Sequence, residues 1–152
     1  MKTQIVACRK CGAVNRVPQD RQGLARCGQC KDELDRSGAP QPVLGAVLAA
    51  VVARAPIPVL VDFSAKWCGP CRMVEPVLDQ LARSRAGELV VLKLDIDDDP
   101  DAARRLGVRG VPTFILFQGG REVGRRSGAL PLSELDGWVR RTAPSEAAAQ
   151  RV

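Results

Sequence analysis

At 152 residues, 45% of them hydrophobic, the chain can bury the core of one ordinary domain plus a small appendage, which excludes a disordered class. The formal net charge of +6 fits attraction to acidic partners, but aromatics are only 3%, tyrosine is absent and Lys and Arg are scattered, which argues against a nucleic-acid surface. The start, MKTQIVACRKCG, lacks an apolar run of signal-peptide length and VLGAVLAAVVA is too short to span a bilayer, so a cytoplasmic monomer with no membrane role is expected.

Residues 1–33 carry four of the six cysteines and little that could build a core. Cys8-x2-Cys11, fifteen residues, then Cys27-x2-Cys30 is the spacing of a structural zinc site. With no histidine in the chain, a site built from this segment has to be a tetrathiolate, Cys8, Cys11, Cys27 and Cys30. Gly12 and Gly28 follow cysteines and are expected to allow tight turns with backbone near sulfur. Four thiolates around a divalent ion leave a local charge of −2, and Arg9, Lys10, Arg26 and Lys31 stand beside the ligands to offset it. Metal binding would supply most of the folding free energy of so apolar-poor a segment. Iron competes with zinc for such a site, and two local disulfides or four free thiols are the alternatives without a metal.

LDRSGAPQP, 34–42, reads as a linker. The main domain is expected over 43–142, followed by a frayed tail over 143–152. Within it, 43–54 reads as a helix ending before APIP, and VLVDFSA as a strand buried on both faces. Met73, Val74, Val77, Leu78 and Leu81 recur at helical spacing from about Gly69 to Arg85, around Pro76. LVVLKLDI is a second buried strand and DPDAARRLGV a short helix with acids at its start. TFILFQGGREVGRRSG reads as two strands joined at Gly119-Gly120, and PLSELDGWVRR as a closing helix with Ser133 as its cap. The order describes a mixed α/β fold around a central sheet.

The third pair, Cys68-Gly69-Pro70-Cys71, differs in its flanks. A strand ends just before it and a helix begins at it, so unpaired backbone N–H groups and the helix dipole favour a thiolate at Cys68. Cys71 lies one turn further in, close enough for a disulfide and less exposed. Pro70 lacks an N–H that the first turn does not need. Cys68 is thus read as the attacking thiol and Cys71 as the resolving one.

WCGPC after VDFSAK, with GVPT downstream, resembles the thioredoxin family over about 43–142. With the ribbon segment in front, the chain is similar to the second, zinc-binding type of bacterial thioredoxin. That resemblance implies a thioredoxin fold preceded by a small zinc ribbon, and a cytoplasmic protein-disulfide reductase working through a Cys68–Cys71 redox disulfide. Its implied partners are disulfide-containing proteins and an NADPH-dependent, flavin-containing thioredoxin reductase; no organic cofactor is bound. Asp62, an acid interrupting an apolar strand, matches the family's buried carboxylate that moves protons to and from the resolving thiol. A strand-end aspartate accepting backbone hydrogen bonds is the plain alternative. Lys93 matches a family lysine near that carboxylate, or is an ordinary strand lysine reaching solvent. Pro112 matches a cis proline facing the disulfide, which would offer the Val111 backbone to an extended substrate. Trp67 is expected to cover the disulfide, Gly128 to lie at the substrate-facing end of a strand or in a plain turn, and Trp138 to be core. Ser64 stands where the family commonly has tryptophan, and 34–42 shows no clear first edge strand, so either the linker pairs weakly or the ribbon covers that edge. A non-catalytic zinc adaptor binding protein or nucleic acid is the competing reading.

Overall fold

The computed structural model describes residues 2–20 and 22–144. Two strands, β1 (Thr3–Ala7) and β2 (Val14–Pro18), form an antiparallel hairpin at the N-terminus. The rest of the chain adds β3 (Gln41–Pro42), α1 (Gly45–Arg54), β4 (Val59–Ser64), α2 (Gly69–Ser84), β5 (Val90–Asp95), α3 (Pro100–Arg105), β6 (Thr113–Gln118), β7 (Arg121–Ser127) and α4 (Leu132–Thr142). These strands make one five-stranded sheet in the order β3-β5-β4-β6-β7. β4 pairs parallel with β5 and antiparallel with β6, as the central strand between its crossover partner β5 and the β6–β7 hairpin.

Strand alternation divides the core in two. Val59, Val61 and Phe63 of β4 pack with Leu92 and Leu94 of β5, Ile115 of β6 and the buried side of α1 and α3. Leu60 faces the other way with Val91, Phe114 and Leu116, against Val74, Leu78 and Leu81 of α2 and Leu135 and Trp138 of α4. Asp62 and Ser64 share the Leu60 face by the same alternation, and Lys93 shares the Val91 face. The sheet therefore aims an aspartate and a lysine at the underside of α2. Burying one of these leucines is worth about 1.5–3 kcal/mol, so Leu78→Ala alone would cost about 2–5 kcal/mol once the cavity is counted.

The N-terminal hairpin uses both of its faces. Val6 and Val17 join Cys8, Ala25, Cys27 and Leu34 in a small cluster of their own, while Ile5 and Ala7 enter the core of the main sheet. The Gln41 side chain bridges the two units, donating from Nε2 to the Ile5 carbonyl at 2.8 Å and accepting the Ala7 N–H at 2.8 Å. The linker does supply the first edge: Gln41 and Pro42 pair with Leu92 and Lys93, and the ribbon meets this edge through the Gln41 side chain while Pro42 stays exposed. At the other edge, β7 carries Arg121, Arg125 and Arg126, charges that discourage pairing with a second sheet.

Two local expectations change. Ser133 does not cap α4: the helix starts at Leu132 after Pro131, whose fixed φ of −68° presets the turn without a side-chain cap. Gly28 lies in a turn whose next N–H, from Gln29, meets Cys27 Sγ, and the left-handed step falls on the residue after the second cysteine of each ribbon pair, Gly12 (φ 78°) and Lys31 (φ 68°). Of the expected tail, Ala143 is buried against α4's neighbours, and 145–152 lie outside the described residues. Gly119 and Gly120 both have positive φ, as the two-residue turn between β6 and β7 requires.

Candidate functional site

Cys68 is the N-cap of α2. Its Sγ accepts the backbone N–H of Cys71 at 3.2 Å, so a donor that the first turn leaves unpaired points at the sulfur. The same donor and the positive end of a sixteen-residue helix would stabilise a thiolate there. Cys68 and Cys71 form a disulfide with 5.3 Å between their Cα atoms. Both are buried, Cys68 at 5% exposure and Cys71 at 1%, in a pocket of Ala65, Ile96 and Val111. The preceding loop is tied to the helix by the Arg72 guanidinium, which donates to the Lys66 carbonyl at 2.6 and 3.1 Å.

Across from the sulfurs, the Val111–Pro112 peptide bond is cis, and the Val111 carbonyl oxygen lies 3.7 Å from Cys68 Sγ. Gly128 joins this wall: its N–H donates to the Pro112 carbonyl at 2.9 Å, and its φ of 89° is one that L side chains rarely adopt. Trp67, the residue before Cys68, is 66% exposed, and its Nε1–H donates to Asp97 Oδ2 at 2.9 Å, which anchors the indole. Trp138 is core, as expected.

On β4, the strand that leads to the pair, Asp62 has no solvent exposure, and neither carboxylate oxygen has a hydrogen-bond partner among the described residues. The alternative of an aspartate satisfied by backbone donors therefore fails. Burial pushes its pKa up to about 7, with Lys93 pulling down and Glu75 pushing further up. Lys93 lies in register with Asp62 on β5, and its Nζ is 3.9 Å from Glu75 Oε1 on α2. Small Ser64 lines a cavity of about 620 Å³ that separates this end of the sheet from the Cys8–Gly12 turn, with Ala65, Glu75 and Lys93 also in its walls.

The four N-terminal cysteines converge. All four sulfurs lie within 4.8 Å of one another, with Cys8 to Cys30 and Cys11 to Cys27 at 3.6 Å, so each close contact crosses between the two pairs. An ion bonded to sulfur at about 2.3 Å in a tetrahedron holds its sulfurs about 3.8 Å apart, so these residues fit a metal ion. Cys27 receives the most donors. Its pKa is lowered to about 6, first by the Cys30 backbone N–H, then, against some desolvation, by the Gln29 N–H and Asn15. Asn15 Nδ2 approaches Cys27 Sγ at 3.6 Å while its Oδ1 accepts the Gly28 N–H at 3.0 Å.

The thioredoxin family model matches residues 45–141. The chain belongs to the thioredoxin family. It is 50% identical over 88 residues to thioredoxin of Pseudomonas aeruginosa, covering 58% of this chain and 82% of that one. With thioredoxin of Haemophilus influenzae it shares 42% over 90 residues, 59% of this chain and 84% of that one. A point mutant of thioredoxin from Halobacterium salinarum superposes with a TM-score of 0.65 at 35% identity, over 72% of this chain and 95% of that one. Thiol–disulfide oxidoreductase activity follows from the family, with protein disulfides and a reductase as its general partners. The family match leaves the four-cysteine segment outside it. Among the described residues no helix is long and apolar enough to cross a membrane.

Three residues of this thioredoxin escaped the sequence. Asp97 is 30 positions from Trp67 and Asn15 is 12 from Cys27, and nothing local marks either as a partner. Glu75 reads as one more exposed helix acid until the register of β4 and β5 brings Lys93 under it.

Proposed function

We propose that this chain is a protein-disulfide reductase of the zinc-ribbon type of bacterial thioredoxin, acting in the cytoplasm. The single observation that carries the reading is Cys68 at the cap of α2, bonded to Cys71, with the Val111–Pro112 wall in front and a buried, unpartnered Asp62 behind. In the reduced enzyme the Cys68 thiolate attacks one sulfur of a substrate disulfide. A mixed disulfide forms and the first substrate thiol leaves. Asp62 takes the proton of Cys71, whose thiolate attacks Cys68 Sγ and releases the second substrate thiol. Two electrons have then passed to the substrate and the enzyme holds the Cys68–Cys71 disulfide. An NADPH-fed flavoprotein reductase returns it to the dithiol. Lys93 holds the ionised form of Asp62, and Trp67, Val111, Pro112 and Gly128 form the surface for an extended substrate, with Gly69 and Pro70 shaping the loop between the sulfurs.

Cys8, Cys11, Cys27 and Cys30 hold one zinc ion, which organises residues 1–33 as a ribbon joined through 34–42 to the thioredoxin domain at 43–142. Wild type is expected to reduce insulin disulfides with dithiothreitol or reductase as electron source, and a Cys68→Ser/Cys71→Ser double variant is expected to fall to background. Equal activity in the double variant would instead favour a zinc adaptor on a thioredoxin fold.

A further inference from the structure

The face of the sheet under α2 holds three charged groups in a row: buried Asp62, Lys93 beside it on the next strand, and Glu75 above on the helix. Asp62 makes no hydrogen bond, so Lys93 does not neutralise it by contact. Instead the ammonium reaches the rim, 3.9 Å from Glu75 Oε1, with 31% of the lysine side chain and 57% of the glutamate exposed. We propose that Glu75 is a positioning residue that sets how tightly Asp62 holds its proton, largely by drawing the Lys93 ammonium away from it. Glu75 lies one helical turn beyond Cys71, on the wall of the cavity that Ser64 and Lys93 line.

Two effects of Glu75 have the same sign. It holds the lysine outward, and its own negative charge opposes ionisation of a second carboxyl nearby. Burial raises the proton affinity of Asp62 most, the Lys93 charge opposes it, and the Glu75 charge adds to it directly. On the same face of the sheet Asp95 follows Lys93 on β5, in register with Ser64, while β6 sets Phe114 opposite Asp62 and α2 adds Glu75. Across the cavity stand Arg9, Lys10, Lys66 and Asp98, further out toward solvent. The consequence for catalysis rests on the proposed function: an acid poised near neutral pH can both take the proton of Cys71 and return it.

The test is a carbon-13 carboxyl titration of Asp62 by NMR in the oxidised, metal-loaded protein, assigned with Asp62→Asn. Glu75→Gln, at an exposed helix position, should move the Asp62 midpoint down by about half a pH unit in dilute buffer, and less in about 1 M salt. Lys93→Met should move it up. In the Lys93→Met background, Glu75→Gln should lose at least half of its effect. A midpoint that stays put or rises in Glu75→Gln overturns the proposal, and an undiminished effect without Lys93 overturns the route through the lysine. In parallel, the pH profile for resolving a Cys68 mixed disulfide should follow the NMR midpoint. If the midpoint moves and the profile does not, Glu75 keeps its assignment and Asp62 loses its place as the proton carrier.

Discussion

The Cys27/Cys30 turn and the Cys68/Cys71 turn share one spacing and part company in the path the chain takes beyond each pair. After Cys30 the chain takes a left-handed step at Lys31 and leaves the turn, and its two sulfurs meet those of the other pair, Cys30 with Cys8 and Cys27 with Cys11, at 3.6 Å. After Cys71 the chain continues as a helix, so the two sulfurs stay on one cap and meet each other. A turn that ends gathers ligands from elsewhere, whereas a turn that propagates keeps its partner and gains a helix N-terminus. The polar residue behind each region differs to match. Asn15 offers donors to a sulfur of the cluster, while Asp62 offers a carboxyl that nothing satisfies.

Breaking the redox pair gives the largest effect. Cys71→Ser should trap covalent complexes with disulfide substrates through Cys68, visible on non-reducing gels, with turnover at background. Cys68→Ser should trap none, and equal trapping would reverse the roles of the two sulfurs.

Next comes Asp62. Its pKa is raised from 3.8 to about 7 in the fold, so the native state holds a proton that the unfolded chain releases over that range. The group's contribution is complete below the unfolded value and is lost as pH rises through the folded one, which amounts to at most about 4 kcal/mol. Oxidised wild type should therefore lose stability between pH 4 and pH 8 in denaturant titrations, and Asp62→Asn should keep most of it. Parallel curves for the two proteins would contradict the buried, unpaired carboxyl. The smallest effect is expected behind the cluster, where Asn15→Ala should weaken metal affinity about 10–100-fold in a chelator competition while leaving insulin reduction intact.

Much of this was legible because it is local. VLVDFSA, the helical spacing after Gly69 and the GG turn each announce an element within a dozen residues, and the cysteine spacings are short-range too. The two-residue strand at Gln41–Pro42 has no periodicity to read, and it exists because Val43 N–H and its neighbours find β5, with the Gln41 amide clasped by β1. The bond from the Trp67 indole N–H to Asp97, 30 positions away, had no local signal, since any exposed carboxylate could satisfy that donor. Ser133 carried the right chemistry for a cap, and the chain used the preset φ of Pro131 two residues earlier.

If surroundings, and not spacing, divide the six cysteines into four metal ligands and one reactive pair, their reactivities differ. Reduced, zinc-loaded protein treated with a limiting alkylating agent and mapped by mass spectrometry reads that difference. Label is expected at Cys68 first, none at Cys8, Cys11, Cys27 and Cys30 while one metal equivalent is retained, and full labelling of those four once a chelator is added. Label spread evenly over all six cysteines with metal still bound would contradict it.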